Sequence, residues 1–352
     1  MYKLLNVFLN ICLLRAGPQD VPAASVVMVL AAGVALAGSS KMGTAGAQEL
    51  RIPVGSRGTA MAGAIVGDAV GCEALFWNPA GAAKATGTEA FLSYRSYIAD
   101  TDLSYFSVVS PFSYGTVGLS AKILSLGDIY VTTETDWDGT GEVYSINIPV
   151  LGLTYASMIT DRVAIGATGM FVSEEIMQSR ARGLAFDFGF QYVPGWRTLK
   201  VGMVMKNYGP RMEFSGPDFE HSVLVPGDDP EAASRFLSLT SSNFEMPSNF
   251  QLGGTYDFDL GVNGKTTVGL VFQSNNFSED EYRLGAEYVL GERLCVRAGY
   301  VVSDQEEYIY GATLGFGANF NLGRVATSIA YSHTFVDNYF DDISELSLRF
   351  GL

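Results

Sequence analysis

A side-chain period of two, held over runs of ten or more residues, constrains this chain more than any other feature. From Gly311 to Phe320 the even positions are Ala312, Leu314, Phe316, Ala318 and Phe320, against Gly311, Thr313, Gly315, Gly317 and Asn319. Between Gly183 and Tyr192, Leu184, Phe186, Phe188, Phe190 and Tyr192 alternate with Ala185, Asp187, Gly189 and Gln191. The chain closes with Leu346, Leu348, Phe350 and Leu352 against Ser347, Arg349 and Gly351. One face is apolar and aromatic, the other small or polar. Over strands of roughly 9–13 residues, long enough to cross a bilayer when tilted, that pattern predicts a transmembrane barrel with lipid outside and a polar lumen inside.

Turn signals after Gly87 predict about fourteen antiparallel strands, at 88–98, 102–112, 114–127, 142–156, 161–173, 181–193, 197–208, 247–259, 265–274, 281–290, 292–302, 309–320, 324–335 and 343–352. An even count returns both ends of the barrel to one side. Alternate connections are tight, at Ser113, Pro194-Gly195, Gly291 and Asn321–Gly323 among others. Those between are longer and acidic: Asp128–Gly141, Glu174–Arg180, Gly209–Met246, Asn275–Asp280, Ser303–Tyr308 and Val336–Asp342. Short periplasmic turns and long external loops are the asymmetry such a barrel requires. Ala99–Thr101, an external connection that is short, is the exception. Tyrosines near strand ends, such as Tyr97, Tyr105, Tyr130, Tyr208 and Tyr256, suit the membrane interface.

The predicted organisation has three parts. Residues 1–47 read as an export signal, with Lys3 and Arg15, an uncharged run from Val21 to Gly38 and the small-x-small site Ala45-Gly46-Ala47. Residues 48–87 do not alternate; they are rich in Gly and Ala and predict a compact plug. Residues 88–352 predict the barrel, which is too wide at fourteen strands for its own side chains to fill.

A net charge of −15 lacks the basic footprint of a nucleic-acid binder. The two histidines, His221 and His333, have no Ser or carboxylate at triad-like spacing, so catalysis is not expected. Nor is a metal or cofactor: the acidic loops follow no EF-hand spacing. Lys122, Asp187, Lys206, Asp257, Arg283, Glu287, Arg297 and Arg349 fall on polar phases. A charge facing hydrocarbon costs roughly 2–4 kcal/mol at the midplane, so they are expected on the lumen wall. Cys72 in the plug and Cys295 on a lumen phase could bridge plug to wall, but two isolated cysteines more often remain unpaired.

Gly58–Ala64, Asp68 and the run Phe76-Trp77-Asn78-Pro79-Ala80-Gly81 resemble the N-terminal signature of the PorV/PorQ outer-membrane proteins. That family is similar in architecture to the FadL-type fourteen-stranded transporters, whose N-terminal plug bears an Asn-Pro-Ala motif. The family usually has paired acidic residues where this chain has Gly67-Asp68 and Cys72-Glu73. The PorV-like resemblance implies a type IX secretion role at the cell surface, with the translocon and the C-terminal domains of cargo proteins as partners. The FadL-like resemblance implies passage of a lipophilic ligand past the plug and out through a gap in the wall. Either implies an outer-membrane, lipid-embedded location in a Gram-negative bacterium.

Overall fold

The structure is a computed structural model; it describes residues 43–223, 235–259, 264–305, 308–336 and 340–351. The export signal expected in residues 1–47 therefore falls, up to residue 42, outside the described residues. Strands β1 (Glu89–Ser96), β2 (Asp102–Phe112), β3 (Gly115–Tyr130), β4 (Val143–Thr160), β5 (Val163–Ile176), β6 (Ser179–Tyr192) and β7 (Lys200–Tyr208) are followed by a small hairpin, β8 (Glu220–Val223) and β9 (Arg235–Ser238). Then come β10 (Asn249–Asp259), β11 (Gly264–Asn275), β12 (Glu281–Leu290), β13 (Leu294–Ser303), β14 (Tyr310–Leu322), β15 (Val325–Val336) and β16 (Ile343–Gly351). All but the hairpin close into one fourteen-stranded antiparallel barrel. Closure leaves no unpaired strand edge, the one solution open to a sheet in lipid. The seam joins β1 to β16, from Glu89 opposite Gly351 to Ser96 opposite Ser344.

The pleat sends side chains where the period predicts. Phe186, Phe188, Leu314 and Phe316 point outward and are exposed, whereas Asp187 and Thr313 are buried inside. Short turns collect at one rim and longer loops at the other, with one correction. The long loop expected over Glu174–Arg180 is absent: β5 runs to Ile176, β6 begins at Ser179, and only Met177 and Gln178 turn between them. A second difference is Tyr105, expected at the membrane interface. It lies on the inward phase of β2 with Leu103 and Val109 and packs on the plug.

Where β6 meets β7 the ladder slips between Phe186 and Phe188. Asn207 takes a left-handed φ of 57° there. Its N–H donates to Asp187 Oδ1 at 2.7 Å and its amide to Pro247 O at 3.3 Å. The β7 strand stops at Tyr208, and the connection to β10 folds back over the rim instead of continuing the wall.

Candidate functional site

Residues 45–88 fill most of the lumen, which divides into three levels. The middle level is set by close backbone approach. Helix α1 (Ser56–Ala60), the residues that follow it to Gly67, helix α2 (Ala74–Trp77) and the 3-10 turn Pro79–Lys84 lie against lumen-facing glycines of the wall, among them Gly118, Gly166, Gly189, Gly202, Gly269, Gly285, Gly299 and Gly315. A Cβ on Gly285 would stand 2.5 Å from Met61 O, and one on Gly299 2.5 Å from Ala62 N. Only glycine admits the plug's main chain this close.

The Asn-Pro-Ala run is the keystone of that level. Pro79 opens the 3-10 turn, and Asn78 Oδ1 caps it by accepting from Ala80 N at 3.2 Å. The same side chain donates to Val66 O at 2.9 Å within the plug and to Phe190 O of β6 at 3.1 Å. One amide, having both an acceptor and donors, thus joins cap, plug and wall. Trp77 Nε1 donates to Val54 O at 3.0 Å, its ring covering Gly58. Gly81 lies against the Ala69 carbonyl, and Ala80 is fully buried.

Charge ties the plug to its wall. Arg57 of α1 binds Asp68 at 2.7 Å and Glu287 of β12 at 3.0 Å, and Glu287 also binds Arg297 of β13 at 2.7 Å. Asp68 continues to Lys200, and Lys200 to Asp257 at 3.2 Å. Burial pushes the Asp68 carboxyl up, but Arg57 and Lys200 outweigh it and hold the group below its ordinary range. Across the seam Arg95 and Glu345, 2% and 1% exposed, pair at 2.6 Å. Glu345 also accepts from Gly55 N at 2.6 Å and Thr59 Oγ1 at 2.8 Å. Lys206 and Lys122 face the Phe76 ring at 3.5 and 4.9 Å from its centroid, and Lys122 donates to Ile52 O at 2.7 Å.

The upper level, under the long loops, is apolar. Ala47 and Leu50 of the N-terminal segment meet Val150, Val172, Ala181 and Ala185 of the wall. The connection after β7 roofs them with Met212 and Met246, and Phe214 and Phe244 pack alongside. Met212 pairs with Phe244 through the backbone, and the Phe214 and Phe244 rings lie 5.7 Å apart. Glu49 is buried at its edge, facing Glu174 of β5. Burial and the Glu174 charge push the Glu49 carboxyl up to about 7.

The lower level, at the short-turn rim, is partly empty. Here the Pro79–Lys84 turn packs on β3–β6, leaving a cavity of about 1050 Å³ against β14–β16 and the segment entering β1. Its lining is mostly polar, with Glu89, Glu292, Arg293, Asn319, Arg324, Ser328 and Arg349.

The residues expected to matter thus fall in different places. Trp77, Asn78, Pro79, Ala80, Gly81 and Asp68 meet in the plug, with Glu287 and Arg297 on the adjoining wall. Arg283 pairs instead with its neighbour Glu281 at 2.6 Å, higher up. Asp187 serves the β6–β7 bulge, and Arg349 faces the lower cavity. Cys72 and Cys295 are free thiols; no bridge joins plug to wall. His333 points outward, with Nε2 3.1 Å from Asp342. Sequence reasoning did not single out the Glu345–Arg95 pair, Lys200 as partner of Asp68, or the methionine roof. Phase alone places Arg95 and Glu345 in the lumen, and closure of the barrel brings their two strands together, Arg95 opposite Glu345.

No family model matches the chain, and no curated relative matches it. Solved structures do. The CymD monoaromatic hydrocarbon channel superposes with a TM-score of 0.55 at 14% identity, covering 85% of this chain and 97% of that one. The Pseudomonas putida toluene transporter TodX gives 0.53 at 14% identity, covering 84% and 97%. The chain thus shares the fourteen-stranded barrel fold of these channels. A Pseudomonas aeruginosa FadL homologue overlaps with a TM-score of 0.49 at 15% identity over 84% and 97%.

Proposed function

We propose that the protein admits small hydrophobic compounds across a bacterial outer membrane, the long loops outside and the short turns in the periplasm. The observation that carries this reading is the packed apolar cluster under the long loops: two methionines and two phenylalanines of the connection after β7 lie over Ala47 and Leu50, above the plug. Methionine side chains re-form around different apolar shapes. The likeness to channels whose names state monoaromatic hydrocarbons supports the same reading. A filled lumen requires the ligand to move the N-terminal segment or the roof, so passage is gated. The test is the initial uptake rate of a labelled monoaromatic compound by cells expressing the protein, compared with cells carrying empty vector. Uptake should rise several-fold and fall back on Met212→Glu plus Met246→Glu, at equal surface expression. Uptake equal to the empty vector would remove the reading.

A second reading has an observation of its own. On the β8–β9 hairpin Phe236 and Leu237, and just beyond it Leu239, are 73%, 55% and 50% exposed. Apolar side chains presented to water on a loop suit protein contact, as a secretion component would use with a translocon or with cargo C-terminal domains. Purification of the intact protein from native outer membranes should then co-isolate translocon subunits, and Phe236→Asp plus Leu237→Asp should lose them.

A further inference from the structure

The arginines of the lower cavity are partnered differently from those in the rest of the lumen. In the upper two levels Arg51, Arg57, Arg95, Arg283 and Arg297 each have a carboxylate partner. Three more arginines, Arg293, Arg324 and Arg349, line the cavity, and among the described residues none of them has an ion-pair partner. They come from three separate places: the turn before β13, the turn before β15, and β16 itself. The sheet register gathers them. Arg349 lies opposite Ser328, and Ser328 opposite Asn319. The Asn319 N–H donates to Arg293 O at 2.7 Å. One row across the wall therefore carries Arg349, Ser328 and Asn319 to the edge of the Arg293 turn.

Two carboxylates share the space. Glu89 is engaged by the Cys72 N–H at 3.4 Å, and Glu292 sits on the β12–β13 turn. Among the lining residues the balance is one positive charge in excess, in a chain whose net charge is −15; the buried Glu73 of the plug also feels the Arg349 charge. Guanidinium forks present paired N–H donors to planar or tetrahedral oxyanions, and the hydroxyl and amide groups between them supply further donors. A concave polar wall also focuses the field of its cations onto an entering anion. This lining is wrong for an apolar solute, so the cavity does not continue the apolar character of the upper level.

We propose that the lower cavity is a binding site for a small multivalent oxyanion, bearing carboxylate or phosphate groups and entering from the short-turn side. The site stands independently of hydrophobic passage. The experiment is calorimetric titration of the full-length protein in a zwitterionic detergent with citrate and with pyrophosphate, acetate serving as the monovalent control. Saturable binding at one site is expected, weakening several-fold between low and moderate salt. Arg293→Gln plus Arg324→Gln, on exposed turns, should weaken it at least tenfold while heat-modifiable gel mobility stays unchanged. Arg349→Gln should weaken it similarly, with Arg349→Lys in between. Binding of citrate alone assigns the site to carboxylates; binding of pyrophosphate alone assigns it to phosphates. No saturable binding of either, or equal affinity in the double variant, overturns the proposal.

Discussion

The middle of the lumen and its long-loop end are both closed, by different means. In the middle, plug main chain lies on wall glycines, and buried ion pairs lock the arrangement. At the long-loop end, isolated backbone bridges hold Met212 to Phe244 and Ala45 to Glu245, and the side chains of Met212, Met246, Phe214 and Phe244 close over Ala47 and Leu50. Backbone against backbone has no rotamer to change, so the middle yields only by moving as a unit. Thioethers and rings have several rotamers each, so the end can reshape around a guest. The gate is expected at the roof and the seal at the belt.

The largest effect should come from the seal's most buried ion pair. Glu345→Ala leaves Arg95, Thr59, Ser93 and the Gly55 N–H without their shared acceptor. We expect a loss of about 3–5 kcal/mol in urea unfolding; a cost near zero would break the contrast between seal and gate. Gly285→Leu drives a side chain into the Met61 carbonyl. It should cost about 1–3 kcal/mol and raise single-channel conductance, because the plug no longer seats. A large constitutive conductance in the unmodified protein would show instead that the belt does not seal.

Smaller effects belong to the gate. Glu49 has its carboxyl raised to about 7, above the unfolded value of about 4.3. The folded state therefore favours the protonated form. Its stabilising contribution is complete below the unfolded value and is lost as pH rises through 7. Amides of residues 48–52 should exchange faster at pH 8 than at pH 5.5 after correction for intrinsic rates, an opening difference on the order of 1 kcal/mol. Glu49→Gln should abolish the difference. The smallest change is expected for Met212→Leu with Met246→Leu, a volume-conserving swap costing less than about 1.5 kcal/mol. Unfolding midpoints of that double variant and of Gly285→Leu, compared side by side, test the contrast directly.

Much of the barrel was legible because a period of two survives wherever one face meets lipid. Strands β2 and β12 begin and end at the residues the alternation marks, 102–112 and 281–290. The reading failed at the rim, where the outer face leaves hydrocarbon and both faces turn polar. There Glu174, Glu175 and Arg180 resemble a loop, yet Glu174 faces the lumen and Arg180 pairs with Ser215 through the backbone. Tyr105 misled for another reason: strand propensity places tyrosine on either face, and only the packing against Phe91 and the plug decides. In the plug, Asn78 and Pro79 announce a turn, but no local signal says that Arg57 meets Glu287, 230 positions away. Such pairings depend on strand order around the ring.

The seam has a consequence for how the molecule is made. On the lumen side, the last strand presents Glu345 and Ser347, and both accept from plug main chain, at Gly55 N and Ser56 N. On the other side of the same joint, Arg95 and Ser93 of the first strand reach for that same Glu345. A barrel zipped around an empty centre would bury those groups unsatisfied, and a plug waiting at an open seam would have only half its docking site. Sealing the cylinder and seating its stopper therefore favour each other, so insertion into the membrane should yield a closed, loaded product in one cooperative step.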